Sequence, residues 1–177
     1  ELNTGQVNIM TVEDPIEREL VGITQIQVQV RRDDPVVHGE MASALALRGD
    51  VAGAVDRMER ALSLAPEDSW NRALLGLLYA EADDMEHAAE HLLRAAEERL
   101  DDPEVQVAAA LAALAAGWED AGHEALARAG LSVEEPADTL MIEEAEERLA
   151  AGSDASRAML RETVGPSVLR ERLMEPL

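Results

Sequence analysis

The sequence predicts a mostly α-helical fold, in which antiparallel helical hairpins stack into a short solenoid behind a short β-type segment. Of the 177 residues, 47% are hydrophobic but only 2% are aromatic, and Phe is absent. Cores built of Ala and Leu suit closely packed helices, whereas sheets are enriched in β-branched and aromatic residues. From Val36 onward the apolar residues recur with helical spacing, and this pattern repeats along the chain.

Residues 1–34 differ from the rest of the chain. Residues 8–12 form a short apolar run, and residues 26–30 alternate between apolar and polar types, which is typical of strands. Pro15 separates the two stretches. A charged linker then ends at Pro35, and proline is well tolerated in the first turn of a helix. We therefore predict a β-type segment over residues 1–34.

The helical region repeats at a constant interval along the chain. The shift that places Ala54 on Ala88 also places Met58 on Leu92, and the turns recur in step. A single hairpin cannot bury its apolar face, so the units must stack. The sequence predicts repeats at residues 35–68, 69–102 and 103–134, and capping helices over residues 135–177.

The second repeat carries a motif at Leu75, Gly76, Tyr79, Ala88, Leu92 and Ala95. Its spacing resembles the tetratricopeptide repeat (TPR). The third repeat departs from the consensus, because Gly122 replaces the packing Ala and Ala110 stands at the Gly position; in the second repeat, Arg72 replaces the consensus Trp. The resemblance covers residues 36–134 and implies a right-handed solenoid that serves as a protein–protein interaction scaffold or adaptor.

In TPR arrays the first helix of each repeat lines a concave face. The resemblance places six residues there: Trp70, Ala73, Leu77, Ala80, Leu111 and Leu114. They would form a groove for an extended peptide or an amphipathic helix of a partner protein. The alternative is that the chain's own C-terminal helix or N-terminal strands cover this groove. Because Lys is absent, the Lys-based clamp that this family uses on a C-terminal carboxylate is excluded.

Residues 1–30 resemble another family, the type II secretion and type IV pilus assembly ATPases. The match consists of the motif Glu-Asp-Pro-Ile-Glu at residues 13–17 and the pattern Gly-Ile-x-Gln-x-Gln-Val at residues 22–28. In that family this stretch contains the acidic Asp box. The resemblance implies that Glu13, Asp14 and Glu17 would lie near a magnesium ion and the attacking water.

No phosphate-binding loop of the type G-x-x-x-x-G-K-[ST] is possible in these 177 residues, because they contain no Lys. We therefore expect no enzymatic activity and no cofactor. Residues 1–30 are interpreted as a remnant that links the scaffold to a pilus or secretion apparatus, or as an accidental junction. The alternative is a fragment of an assembly ATPase whose phosphate-binding half lies upstream of Glu1. A Gly-rich loop ending in Gly-Lys-Ser or Gly-Lys-Thr in the upstream coding sequence would favour that alternative.

His87 and His91 lie four residues apart on a predicted helix, a spacing that can hold zinc. Their positions relative to Ala88 and Leu92 place both on the face away from the core, and no third ligand is evident. We expect a solvated pair and no metal.

The formal net charge is -22, from 37 acidic and 15 basic residues, all of the latter Arg. Such a surface repels nucleic acids and anionic membranes, and no apolar run approaches the ~20 residues of a membrane span. The absence of Cys excludes disulfides and thiolate metal sites. We expect a cytoplasmic protein with a protein or peptide partner. Adaptation to high salt would explain an acidic surface without Lys, and a GC-rich genome would also favour Arg over Lys.

Added salt should raise the melting temperature of this chain. Like-charge repulsion destabilises the folded state at low ionic strength, and salt screens it. Thermal melts from dilute buffer to molar KCl measure the effect. A melting temperature that stays flat or falls across this range would remove the main support for adaptation to high salt.

Overall fold

The computed structural model describes residues 10–13, 24–27, 33–131 and 136–164. The chain divides into two compact units, Glu1–Asp34 and Pro35–Leu177. The boundary coincides with the end of the predicted β-type segment. Within the described part of the chain, no helix is long and apolar enough to cross a membrane.

The first unit contains two short strands, β1 (Met10–Glu13) and β2 (Thr24–Gln27). They pair in parallel, with Met10 opposite Thr24 and Glu13 opposite Gln27. The predicted strand stretches at residues 8–12 and 26–30 overlap these two strands. Their remaining residues lie outside the described ones.

The second unit is helical, which confirms the prediction of a mostly α fold. Its helices are α1 (Pro35–Leu47), α2 (Val51–Leu64), α3 (Ser69–Glu81), α4 (Met85–Glu98), α5 (Pro103–Ala115), α6 (Glu119–Ala129), α7 (Pro136–Ala150) and α8 (Ser153–Val164). Helices α1 to α6 pack as three successive hairpins, and the second helix of each hairpin contacts the first helix of the next. Their bounds fall within the predicted repeat ranges. The last part of the predicted capping region, residues 165–177, lies outside the described residues.

The turns inside the three hairpins have the same backbone conformation. Gly49, Asp83 and Gly117, at equivalent positions of the three repeats, have positive φ angles of 80°, 66° and 83°. In each turn the next residue donates its N–H to the carbonyl five residues earlier: Asp50 to Leu45 at 3.0 Å, Asp84 to Tyr79 at 2.9 Å and Trp118 to Ala113 at 2.7 Å. A left-handed residue that closes the last helical turn in this way is a common end of a helix. The three hairpins therefore share their backbone hydrogen bonds as well as their residue pattern.

Aspartate precedes the four helices α2 to α5. The side chains of Asp50, Asp68, Asp84 and Asp102 each accept a hydrogen bond from a backbone N–H in the first turn of the helix that follows. Such a cap satisfies one of the N–H groups that a helix start leaves without a partner. Trp118 stands at the same position before α6 and makes no side-chain cap.

Gly76 marks a close approach of the two helices in the second hairpin. A Cβ atom at this position would lie 2.6 Å from Cγ of Leu92 and 3.1 Å from the carbonyl oxygen of Ala88. Real Cβ atoms essentially never come this close to another carbon. Glycine is therefore required for Leu92 to pack directly over α3.

Gly122 has the same role in the third hairpin, but on the opposite helix. Its Cβ atom would lie 2.5 Å from Cγ of Leu114 and 3.1 Å from the carbonyl oxygen of Ala110. In the second hairpin, Gly76 is on the first helix and faces Ala88 on the second. In the third hairpin the residue types are exchanged, with Ala on the first helix and Gly on the second. The departure at Gly122 thus compensates for the departure at Ala110.

Replacing Gly76 by Ala should destabilise the fold by about 1–3 kcal/mol, because Leu92 must shift in a closely packed seam. This cost exceeds the ~0.5–1 kcal/mol that Ala contributes over Gly inside a helix. Urea unfolding measures the difference.

Gly39→Ala is the matched control. The nearest atoms to a Cβ there belong to the Asn71 side chain, at 3.4 Å or more, which is close to ordinary contact. The control should be neutral or slightly stabilising. If Gly76→Ala were as stable as the wild type, the close approach would not be a packing constraint.

Candidate functional site

The six predicted groove residues lie on α3 and α5, which are covered by the chain's own C-terminal helices. Helix α8 packs against both α3 and α5, and α7 packs against α5. Five of the six are buried, with relative exposures of 7% or less; these are Ala73, Leu77, Ala80, Leu111 and Leu114. Trp70 is partly buried. The structure therefore does not show these six residues as an open groove, and their role in partner binding stays a prediction.

The physical reason is the composition of α5, which is apolar on every side. Ten of its 13 residues are buried. A helix that is apolar all round must be surrounded by other elements, because it has no side suited to water. Helices α4 and α6 cover part of its surface, and α7 and α8 cover much of the rest.

A small cavity of about 40 Å³ remains between α3, α5 and α7. Four of the predicted groove residues line it, together with Met141 of α7: Trp70, Ala73, Leu77 and Leu111. Ala80 and Leu114 are buried outside this cavity. Ligand pockets usually have volumes of about 300–1,000 Å³. The cavity is thus too small to receive a segment of a partner.

Trp70 combines a partly exposed ring with an apolar inner side. The guanidinium carbon of Arg99 lies 5.2 Å from the centroid of the Trp70 ring, a cation–π geometry. Nε and Nη2 of Arg99 also donate hydrogen bonds to the Asp102 carboxylate, at 3.1 and 3.0 Å. Arg99 is therefore held in place beside the ring, and Trp70 is the one predicted groove residue accessible to a partner.

Helix α8 is fixed to the array by two arginines. Nη1 of Arg157 lies 3.5 Å, and Nη2 of Arg161 lies 2.7 Å, from the same oxygen of Asp83, in the turn between α3 and α4. Nη2 of Arg157 also donates to the carbonyl of Ala115, at 3.5 Å. Sequence reasoning did not identify Asp83 as the partner of these arginines. A comparison of the three repeats could have singled out Asp83, because the other two repeats have Gly at this position.

Two buried polar residues, Arg72 and Gln106, stand where the TPR consensus has Trp in the second and third repeats. Gln106 is fully buried, and its Nε2 donates to the carbonyls of Ala96 and Arg99, at 2.6 and 3.2 Å. Arg72, at the equivalent position of the preceding repeat, donates in the same manner to the carbonyl of Pro66. Both side chains satisfy carbonyls at the C-terminal end of the preceding hairpin. They therefore join consecutive hairpins by hydrogen bonds where the consensus uses an aromatic ring.

His87 and His91 both stack on Tyr79, and the prediction of a solvated pair holds for the exposed His87 but not for the half-buried His91. The ring centroids lie 5.0 Å and 5.6 Å from that of Tyr79. The Tyr79 hydroxyl donates to Oε1 of Glu59 on α2, at 2.5 Å. Burial, together with this hydrogen bond, raises the pKa of Tyr79 to about 12. Among the described residues no group of side chains could hold a metal ion. The cluster therefore connects the first and second hairpins.

The two histidines have opposite pKa shifts. Nδ1 of His87 lies 2.8 Å from Oδ2 of Asp84, and this hydrogen bond raises the pKa of His87 above its usual value of 6.5. Burial lowers the pKa of His91 below the same value. His91 is half-buried beside Tyr79, whereas His87 is exposed.

The acidic residues of the N-terminal segment cannot be placed as a site. Glu13 is the last residue of β1. Its side chain, Asp14 and Glu17 lie outside the described part of the chain. Their predicted role stays a prediction.

An NMR pH titration should show the His91 ring titrating below 6.5 and the His87 ring above it. Because the pKa of His91 is lower in the folded state, the unfolded state binds more protons at this residue as the pH falls below 6.5. His91 therefore destabilises the fold as the pH falls. His87 has the opposite sign: its contribution is present below 6.5 and is lost as pH rises through its folded pKa.

Single Phe replacements, which preserve an aromatic ring for stacking, should separate the two effects. Relative to wild type, His91→Phe should be more stable at about pH 5.5 than at neutral pH, and His87→Phe should be less stable. Shifts of the same sign in both variants would contradict this assignment.

A scan of the sequence against protein-family models finds no matching family, and a search of curated proteins finds no matching relative.

Proposed function

We propose that this chain is a protein–protein interaction scaffold of the TPR type, in which the three hairpins of residues 35–134 form a right-handed solenoid. The observation that supports the repeat architecture is the turn geometry. Gly49, Asp83 and Gly117 share a left-handed conformation and the same hydrogen bonds at equal intervals along the chain. Stacked helical repeats build extended surfaces and serve mainly to bind other proteins.

The binding surface is proposed to centre on Trp70. Interfaces concentrate their energy in a few residues, and Trp, Tyr and Arg are enriched among them. Trp70 and Arg99 form such a pair on one partly exposed patch. Its apolar inner side lies against the cavity beside Met141. The net charge of -22 favours a partner with a basic surface.

The pathway is proposed from the resemblance of residues 1–30 to secretion and pilus ATPases. On that basis the scaffold serves a type IV pilus or type II secretion apparatus in the cytoplasm. We propose no catalysis by these 177 residues, since a phosphate-binding loop needs the Lys that they lack.

A fragment of an assembly ATPase is the second candidate. It is supported by the parallel pairing of β1 and β2, a pairing typical of α/β folds. In such folds ligands bind beyond the carboxyl ends of the strands, and Glu13 lies at that end of β1. A phosphate-binding loop encoded upstream would favour this candidate over the scaffold.

Replacing Trp70 by Ala should weaken partner binding by about 2 kcal/mol or more, which is ~30-fold in Kd. The full chain is immobilised, and proteins retained from an extract of the source cells are quantified by mass spectrometry. A partner should be retained by the wild type and lost from Trp70→Ala.

Trp118→Ala is the matched control, because it removes the other Trp, which is 40% exposed at the turn of the third hairpin. It should retain the partner. Equal retention by both variants, with unchanged helical content, would place the binding surface away from Trp70.

A further inference from the structure

We propose that α8 is an internal ligand: it occupies the side of α3 and α5 that would otherwise receive a partner, and Asp83 is the residue that holds it. This inference rests on the proposed scaffold function and specifies the partner. The partner would present an α-helix with two Arg one turn apart beside an apolar pair, as α8 does with Arg157, Arg161, Met159 and Leu160.

The conformation of Asp83 is the first argument. Among the described residues it is the only non-glycine with a positive φ, and the equivalent turns have Gly49 and Gly117. A left-handed conformation is unfavourable for a residue with a side chain, although Asp tolerates it better than most. Glycine would serve the turn better. The Asp83 carboxylate forms ion pairs with both arginines of α8. Its side chain therefore has a role that the turn itself does not require.

The second argument is the small number of buried residues in the described part of α8. Its buried residues in the described part are Ser156, Met159 and Leu160. Ser156 donates its hydroxyl to the carbonyl of Gly152, before its own helix, and not to the array. Nε of Arg157 is buried without a hydrogen-bond partner among the described residues. An element with few buried apolar residues and an unsatisfied buried polar atom is expected to open more readily than the core.

The third argument is charge. Asp83, Asp84 and Glu86 line a depression beside Arg157, next to Ala115 and Ala116. This acidic surface selects a basic helix and disfavours an acidic one. Both ion pairs are partly exposed: the Asp83 side chain is 51% exposed and that of Arg161 is 48% exposed. Such pairs contribute little stability, so a partner helix with the same pattern can compete for Asp83.

Hydrogen exchange tests whether Asp83 holds α8. In the full chain, Asp83→Asn keeps a residue that tolerates the left-handed turn but removes the charge. Amides of residues 153–164 should exchange about threefold to tenfold faster, with α4 and α5 unchanged. Asp101→Asn, a matched control that removes one exposed charge elsewhere, should leave α8 unchanged. Equal exchange of α8 in Asp83→Asn and wild type would overturn the proposal.

Binding in trans tests the partner chemistry. The probe is a fluorescein-labelled peptide of residues 152–164, and the receptor is the full chain carrying Leu160→Asp, which unseats its own α8. The peptide should bind this variant at least about tenfold more tightly than the wild type, whose tethered helix competes at high effective concentration. Adding Asp83→Asn to the receptor, or Arg157→Gln and Arg161→Gln to the peptide, should weaken binding.

Two results would refute the internal-ligand proposal. One is peptide binding that is equal, or absent, in the Leu160→Asp chain and the wild type. The other is loss of the cooperative thermal transition in Leu160→Asp, which would make α8 an integral part of the core. Neither result affects the scaffold function, because the comparison of Trp70→Ala with Trp118→Ala tests that function separately.

Discussion

Helix α5 is apolar on all its sides, and the arrangement of the helices around it, α3, α4, α6, α7 and α8, follows from the need to cover it. Ten of its 13 residues are buried, and Gln106 is the one polar residue among them. Because Nε2 of Gln106 donates to two backbone carbonyls and its Oε1 accepts from Nε of Arg128, this polar group is buried with its hydrogen bonds satisfied. With a central helix of this kind, an exposed groove along α5 would leave a large apolar surface in water.

The features that the sequence predicted well are local ones. Hairpin positions, turns and helix starts depend on local patterns, namely apolar spacing, a left-handed residue and an aspartate cap. These signals lie within a few residues of the structure they determine, and the helices of the second unit occupy the predicted ranges.

The features that the sequence did not predict depend on contacts between distant elements. Coverage of α3 and α5 by the C-terminal helices was left as one of two alternatives, because no local pattern in residues 153–164 indicates where α8 packs. The histidines were placed correctly on the outer side of α4, yet their stacking on Tyr79 requires the relative position of α3 and α4. Asp83 is the exception, because comparison of the repeats isolates it as the position where Asp replaces Gly.

The exchange of Gly and Ala between the second and third hairpins has a consequence for detecting relatives. Gly76 with Ala88, and Ala110 with Gly122, are two solutions to one steric requirement, since each leaves space for one leucine to pack over a glycine. A comparison that scores every position independently counts Ala110 and Gly122 as two separate departures from a consensus. We therefore expect the two residues that face each other in each hairpin to covary among related sequences. Methods that score pairs of residues should recover similarities in this region that single-column profiles miss.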